Sequence, residues 1–310
     1  MKSPISRRII AGIAAIGLTA SLAACGANTP FGDDGKVVLG SITVGSQGFA
    51  ESDVLAQLYG QVLAANGYTV TYAPGIGSRE TFIPALQDGS IDMIPDYVGN
   101  LLYSADPKAT ASSTADVVSA LPAVLEPMGL VVADAALAQD ADALVVTKEF
   151  AAEHSLVTIA DLAPIASTIT IGANTEFEGR PYGRTGLESV YGVTGWAFKA
   201  IDDYGGPGTL KDLLDGNIQV ADIYTTTPSI KANGLVVLKD PKNLIAAQNV
   251  VPLFNKDTYS IAVANLVNRV SNLLTTEELM KLNEISNGDS KPSPEKVAKE
   301  WLMKNGLIGG

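Results

Sequence analysis

Cysteine and histidine are almost missing from these 310 residues, with one of each. A single Cys excludes a disulfide framework, and a single His excludes a His-cluster metal site. A Ser-His-Asp triad would have to use His154, which lies in the charged stretch KEFAAEHSL with no nucleophile elbow nearby and reads as an exposed surface residue. Positive charge is scarce: 21 Lys and Arg stand against 33 Asp and Glu, a net charge of −12. A surface that acidic repels phosphate backbones and argues against nucleic acid as a partner. No metalloprotease motif, phosphate loop or EF-hand spacing occurs; Gly75-Ile76-Gly77 lacks the lysine of a phosphate loop and reads as a strand-to-helix turn. No apolar run reaches the roughly 18–20 residues that cross a bilayer. The absences together argue against an enzyme and give no ground for a metal or cofactor.

Enough apolar sequence is present to build packed cores, at 46% of the chain. The length suggests about two domains at roughly 100–200 residues each. The N-terminus reads as an export signal: Lys2, Arg7 and Arg8 precede an apolar stretch from Ile9 to Ala20, too short to span a membrane. Leu22-Ala23-Ala24-Cys25 matches a bacterial lipobox. The expectation is a signal peptide over 1–24, a lipid on Cys25, and a polar tether over 25–35 that leaves the protein anchored outside a cell membrane. Loss of the three cations leaves 18 against 33 and a charge of −15.

Beyond the tether, strand and helix patterns alternate. Lys36 to Val44 is β-branched and apolar, a buried strand; Val54, Leu55, Leu58, Val62 and Leu63 recur at helical spacing before the Asn66-Gly67 stop. Tyr68 to Tyr72 and Ile91 to Pro95 read as strands around a helix from Ser78 to Leu86, and this β-α-β-α-β order predicts a parallel sheet. Thr114 to Met128 reads as a helix and Leu130 to Ala133 as a strand. A second run follows, with strands at Ala143–Thr147, Thr168–Gly172, Ala197–Ile201, Ile218–Tyr224 and Leu235–Leu238. After the strand Val250–Phe254 the tail is helical, with Thr275 and Ser293 as caps. The tail has too few strands for a third lobe and is expected to return to the first. The prediction is an α/β protein of two lobes, 36–139 plus 250–310 and 140–249, crossed twice, near Ala138–Ala141 and Ile245–Pro252. Two crossings make a hinge.

Ligands of open α/β sheets bind beyond the carboxyl ends of strands. Tyr97 and Tyr224 both occupy such ends, as pocket walls or as edge packing. Arg180, in the loop FEGRPYG, is either a clamp for a carboxylate or a solvated loop cation.

Four motifs in order add a resemblance. Gly45-Ser46-Gln47-Gly48-Phe49-Ala50-Glu51, the run from Gly89 to Asn100 (GSIDMIPDYVGN), Glu176-Phe177-Glu178-Gly179-Arg180-Pro181, and the run from Gly216 to Thr226 (GNIQVADIYTT) resemble segments of the glycine betaine/carnitine/choline substrate-binding proteins of ABC transporters, the osmoprotectant-binding, OpuAC/ProX-like family. The resemblance is colinear from about residue 37 to 305. It implies a type II periplasmic-binding-protein fold, a monomer that delivers a quaternary ammonium compound or small zwitterion to a permease, and a cage of tyrosines around the trimethylammonium group. By motif Tyr97 and Tyr224 are cage residues, Asp142 and Gln248 stand where the family has its other two tyrosines, and Asp140 lines the pocket. Arg180, Gln47 and Asn100 fall where the family meets the ligand carboxylate. With Asp142 replacing a ring, the pocket is more acidic, which leaves an ergothioneine-like zwitterion or another polar amine as an alternative ligand, and a sensor as an alternative role.

Overall fold

The computed structural model describes residues 39–288 and 290–309. The expected signal peptide, Cys25, the tether and the first residues of the strand expected from Lys36 lie outside them. Strand and helix alternate from the start: β1 (Gly40–Gly45), α1 (Ala50–Ala65), β2 (Tyr68–Ala73), α2 (Arg79–Gln87) and β3 (Met93–Tyr97). The helical stripe read from the sequence is the buried face of α1, where Val54, Leu58, Val62 and Leu63 are all fully buried. β1 runs parallel to β2 from Gly40↔Tyr68 to Gly45↔Ala73 and meets β3 at Val44↔Met93. α3 (Val98–Ala105) follows β3 without a break, then α4 (Thr114–Leu125), a 3-10 turn at Glu126–Met128 and β4 (Leu130–Val132).

The chain then builds a second sheet from β5 (Leu144–Val146), α5 (Lys148–His154), a 3-10 segment over Ile159–Thr168, β6 (Thr170–Ala173), a turn at Thr175–Gly179, α6 (Arg184–Tyr191), β7 (Ala197–Ala200), α7 (Pro207–Leu214), β8 (Val220–Asp222), α8 (Pro228–Ala232) and β9 (Val236–Val237). It returns through β10 (Val250–Asn255) to α9 (Ile261–Ser271), α10 (Thr276–Asn287) and α11 (Pro294–Lys304). Thr275 and Ser293 cap the last two helices, accepting from the backbone N–H of Glu278 and Lys296.

The sheets are ordered β2-β1-β3-β10-β4 and β7-β6-β8-β5-β9. Neither is purely parallel, which corrects the expectation for the first. β10 enters between β3 and β4 and is antiparallel to both. Its five buried residues, Val250 to Phe254, need partners on both edges, and a strand arriving from the far sheet runs the opposite way. The two segments that pass between the sheets lie side by side: Gln139 bridges Asn249, the Asp140 N–H donates to the Gln248 carbonyl, and the Val250 N–H donates to the Ala138 carbonyl. α9, α10 and α11 pack against α1 in one apolar core through Val263, Val267, Leu279, Val297 and Trp301.

Candidate functional site

The carboxyl end of β3 brings Asp96 and Tyr97 to the gap between the sheets, and the carboxyl end of β8 brings Asp222 and Tyr224 from the other side. Arg79, the first residue of α2, is 6% exposed and grips the fully buried Asp96 in fork geometry, Nη2 to Oδ1 at 2.5 Å and Nε to Oδ2 at 3.2 Å. The Tyr97 N–H also donates to Asp96, at 2.8 Å. The loop before α1 is tied back on itself: the Gln47 N–H donates to Ser52 Oγ at 2.9 Å, which presents Phe49 and Glu51 to the gap. Glu51 is buried, and it accepts from Tyr97 at 2.5 Å, from Thr226 Oγ1 at 2.6 Å and from Asn283 Nδ2 at 2.5 Å. These three donors come from β3, from the segment after β8 and from α10.

A second network starts at one crossing and ends beyond the other. Gln248 Nε2 donates to Asn100 Oδ1 at 2.9 Å, Asn100 Nδ2 to Asp142 Oδ2 at 2.9 Å, and the Tyr182 hydroxyl to the same oxygen at 2.9 Å. Asp140 is buried and accepts from the Thr226 N–H at 2.9 Å.

Of the residues expected at the site, Gln47, Tyr97, Asn100, Asp140, Asp142 and Tyr224 line one small cavity. Arg180 lines the adjoining one with Asn100, Asp142 and Tyr224. Its guanidinium is 3.5 Å from Glu80, a contact between the loop after β6 and the start of α2. Gln248 does not line either cavity. It is fully buried behind Asn100, against Gly99, and acts on the site through the Asn100 side chain. Tyr97 and Tyr224 share the cavity with the Phe49 ring between them, at centroid distances of 6.4 and 5.7 Å. Four side chains absent from the sequence reading belong here: Phe49, which appeared only as a motif letter, Arg79, Tyr182 and Tyr204. Only Phe49 carried a usable signal, since it adjoins a helix start inside a recognised motif.

Each of the two cavities measures about 30 Å³. That is room for two or three waters at roughly 10–15 Å³ each, so the walls must part before a trimethylammonium group enters. A larger chamber of about 260 Å³ opens beside them, bounded by Phe49, Glu51, Asp140, Tyr204, Tyr224, Thr226 and Asn283.

Burial pushes the Glu51 carboxyl above its usual range despite its hydrogen bonds. Burial, and then the neighbouring Glu51 charge, pushes Asp140 well up; burial, and then Asp142, does the same to Asp222. A carboxyl raised on folding contributes stability below its unfolded value, about 4, and that contribution is lost as pH rises through the raised one. The melting temperature should therefore fall as pH rises above about 4, the unfolded value, and Asp140→Asn should flatten the slope. A profile that rises there would contradict the assignment. Exposed carboxyls held low by hydrogen bonds, such as Asp161, act in the opposite sense only in stronger acid.

A family model described as the substrate binding domain of ABC-type glycine betaine transport systems matches residues 40–304. A glycine-betaine-binding protein of Pseudomonas aeruginosa is 26% identical over 283 residues, covering 86% of this chain and 89% of that protein. An ergothioneine transport permease/ergothioneine binding protein of Helicobacter pylori is 23% identical, covering 86% of this chain and 48% of that protein. Among solved structures, a glycine betaine/carnitine/choline ABC transporter protein superposes with a TM-score of 0.68 at 20% identity, over 87% of this chain and 99% of that one. Lactococcal OpuAC, closed on glycine betaine, superposes with a TM-score of 0.63 at 15% identity, over 86% and 96% of the two chains. These likenesses establish the fold as the α/β, type II periplasmic-binding-protein architecture.

Proposed function

The chain belongs to the family of substrate-binding domains of ABC-type glycine betaine transport systems, and from that premise we propose that it captures a glycine betaine-like quaternary ammonium compound or small zwitterion between its two sheets and delivers it to a membrane permease. Proteins of this family are extracytoplasmic substrate carriers of importers. In this reading the chain is a monomer and not an enzyme, residues 36–139 and 250–310 form one lobe, and residues 140–249 form the other. The paired crossings at Ala138–Ala141 and Ile245–Pro252 are the hinge, and Tyr97, Tyr224, Arg180, Asp140, Asp142, Gln47 and Asn100 contact the ligand.

The observation that supports the reading most is the convergence of Tyr97, Tyr224 and Phe49 with Arg180 at the carboxyl ends of strands from both sheets. Aromatic faces attract a weakly hydrated cation by about 0.5–2 kcal/mol per contact, and a guanidinium holds a carboxylate in fork geometry. Titration calorimetry with glycine betaine and choline tests it, with a smaller radius of gyration by X-ray scattering at saturation. Absence of binding to both compounds would refute it. A second reading, an ergothioneine-like zwitterion, draws on Asp142: a carboxylate bridging Asn100 and Tyr182 stands where the family has a ring.

Membrane attachment through a lipid on Cys25 belongs to the same proposal. Cys25→Ala should release the protein from the membrane fraction, and retention with an unchanged N-terminal mass would contradict it.

A further inference from the structure

The larger chamber has features that the resemblance does not account for. Its aromatic wall is an arc of three rings, with the Phe49 centroid 5.4 Å from that of Tyr204 and 5.7 Å from that of Tyr224. Glu51 and Asp140 form the floor. Asn283, 4% exposed on the same wall, has its amide nitrogen committed to Glu51 and Thr226 and its Oδ1 without a partner among the described residues. A buried acceptor left without a donor costs about 1–3 kcal/mol.

Tyr204 reaches this wall at a conformational cost. It has φ of +56°, a region that a bulky residue rarely adopts. Its N–H is held by Asn174 Oδ1 at 2.9 Å. Its ring lies so close to Gly48 that a Cβ there would come within 2.7 Å of it. Glycine on one side of the gap and backbone strain on the other therefore serve one contact. Strain of this kind persists where the surroundings over-determine it, and it clusters at ligand clamps.

We propose that the cationic group of the ligand docks in this chamber, against the rings of Phe49, Tyr204 and Tyr224 and over Glu51 and Asp140, while the remainder of the ligand reaches into the narrow space between Tyr97 and Asp142. The inference rests on the proposed function and specifies its site. Tyr224 borders both spaces, so an anionic group of the same ligand still reaches toward Arg180.

The test uses choline and glycine betaine in titration calorimetry. Tyr204→Asn removes the ring while keeping a residue that tolerates positive φ. It should weaken both compounds about 5- to 30-fold without lowering the melting temperature. Tyr204→Phe keeps the ring and should recover most of the affinity. Phe49→Leu, at a ring that borders both spaces, should weaken both compounds under either placement. If Tyr204→Asn binds like the wild type while Tyr97→Leu does not, the chamber assignment is overturned and the function stands. If the wild type binds neither compound, the function falls and takes the chamber with it.

Discussion

Asp96→Ala is expected to cost about 3–5 kcal/mol of folding stability, the usual consequence of removing one member of a buried ion pair. The substitution would strand the Arg79 guanidinium in an interior where its fork now meets both carboxylate oxygens. It would also leave the Tyr97 N–H without its acceptor at the point where β3 passes into α3. At roughly 2–4 °C per kcal/mol for a domain of this size, the melting temperature should drop by about 6–20 °C. Arg79→Met should cost a similar amount, because it strands the carboxylate instead. The double variant Arg79→Met/Asp96→Leu should recover much of the loss, since an apolar pair of similar volume needs no desolvation of charge. Denaturant melts of the four proteins measure these differences. Single variants within about 0.5 kcal/mol of wild type, the scatter of ordinary surface substitutions, would mean that the pair is solvated and the site differs from this geometry.

That pair also shows what sequence reading can and cannot reach here. Position along a strand is a local property, so Tyr97 and Tyr224 were identifiable as residues past a carboxyl end. The stripe of α1 was equally plain, because five apolar residues at one spacing leave a single face to bury. Arg79 had no such signal: it stands in GSRETF as one cation among polar neighbours, and only the fold brings it against Asp96, 17 residues on. Tyr204 sits in a run of glycines and proline that reads as a turn, and only the fold sets its ring against Gly48 of the loop after β1. α3 carries no helical signal in the sequence, because Val98-Gly99-Asn100 places weak helix formers at its start; packing of Leu101 and Leu102 overrides them. α5 reads as a charged stretch, although Thr147 caps it by accepting from the Phe150 N–H. The placement of β10 depends on where the chain returns, which no local pattern carries. The resemblance puts Gln248 at a motif position, but its side chain lies one layer back and meets the site through Asn100.

Arg180→Ala is expected to weaken glycine betaine by about 30- to 150-fold and choline by less than about threefold. The loss corresponds to about 2–3 kcal/mol, within the range for truncating one partner of a buried, hydrogen-bonded charge pair. Arg79 is committed to Asp96, whereas the Arg180 side chain, 11% exposed, pairs among the described residues with the 59% exposed Glu80 at 3.5 Å. A ligand carboxylate entering from solvent would replace Glu80 and close the same gap between α2 and the loop after β6. Glu80→Gln should then leave glycine betaine binding intact or tighten it a few-fold, because the competitor for Arg180 is gone. Choline has no group to offer the guanidinium, so the ratio of the two affinities is the diagnostic quantity and cancels any general loosening of the loop. Calorimetric titration of both compounds against wild type, Arg180→Ala and Glu80→Gln measures that ratio. Tight glycine betaine binding that Arg180→Ala leaves untouched would show that the carboxylate is held elsewhere.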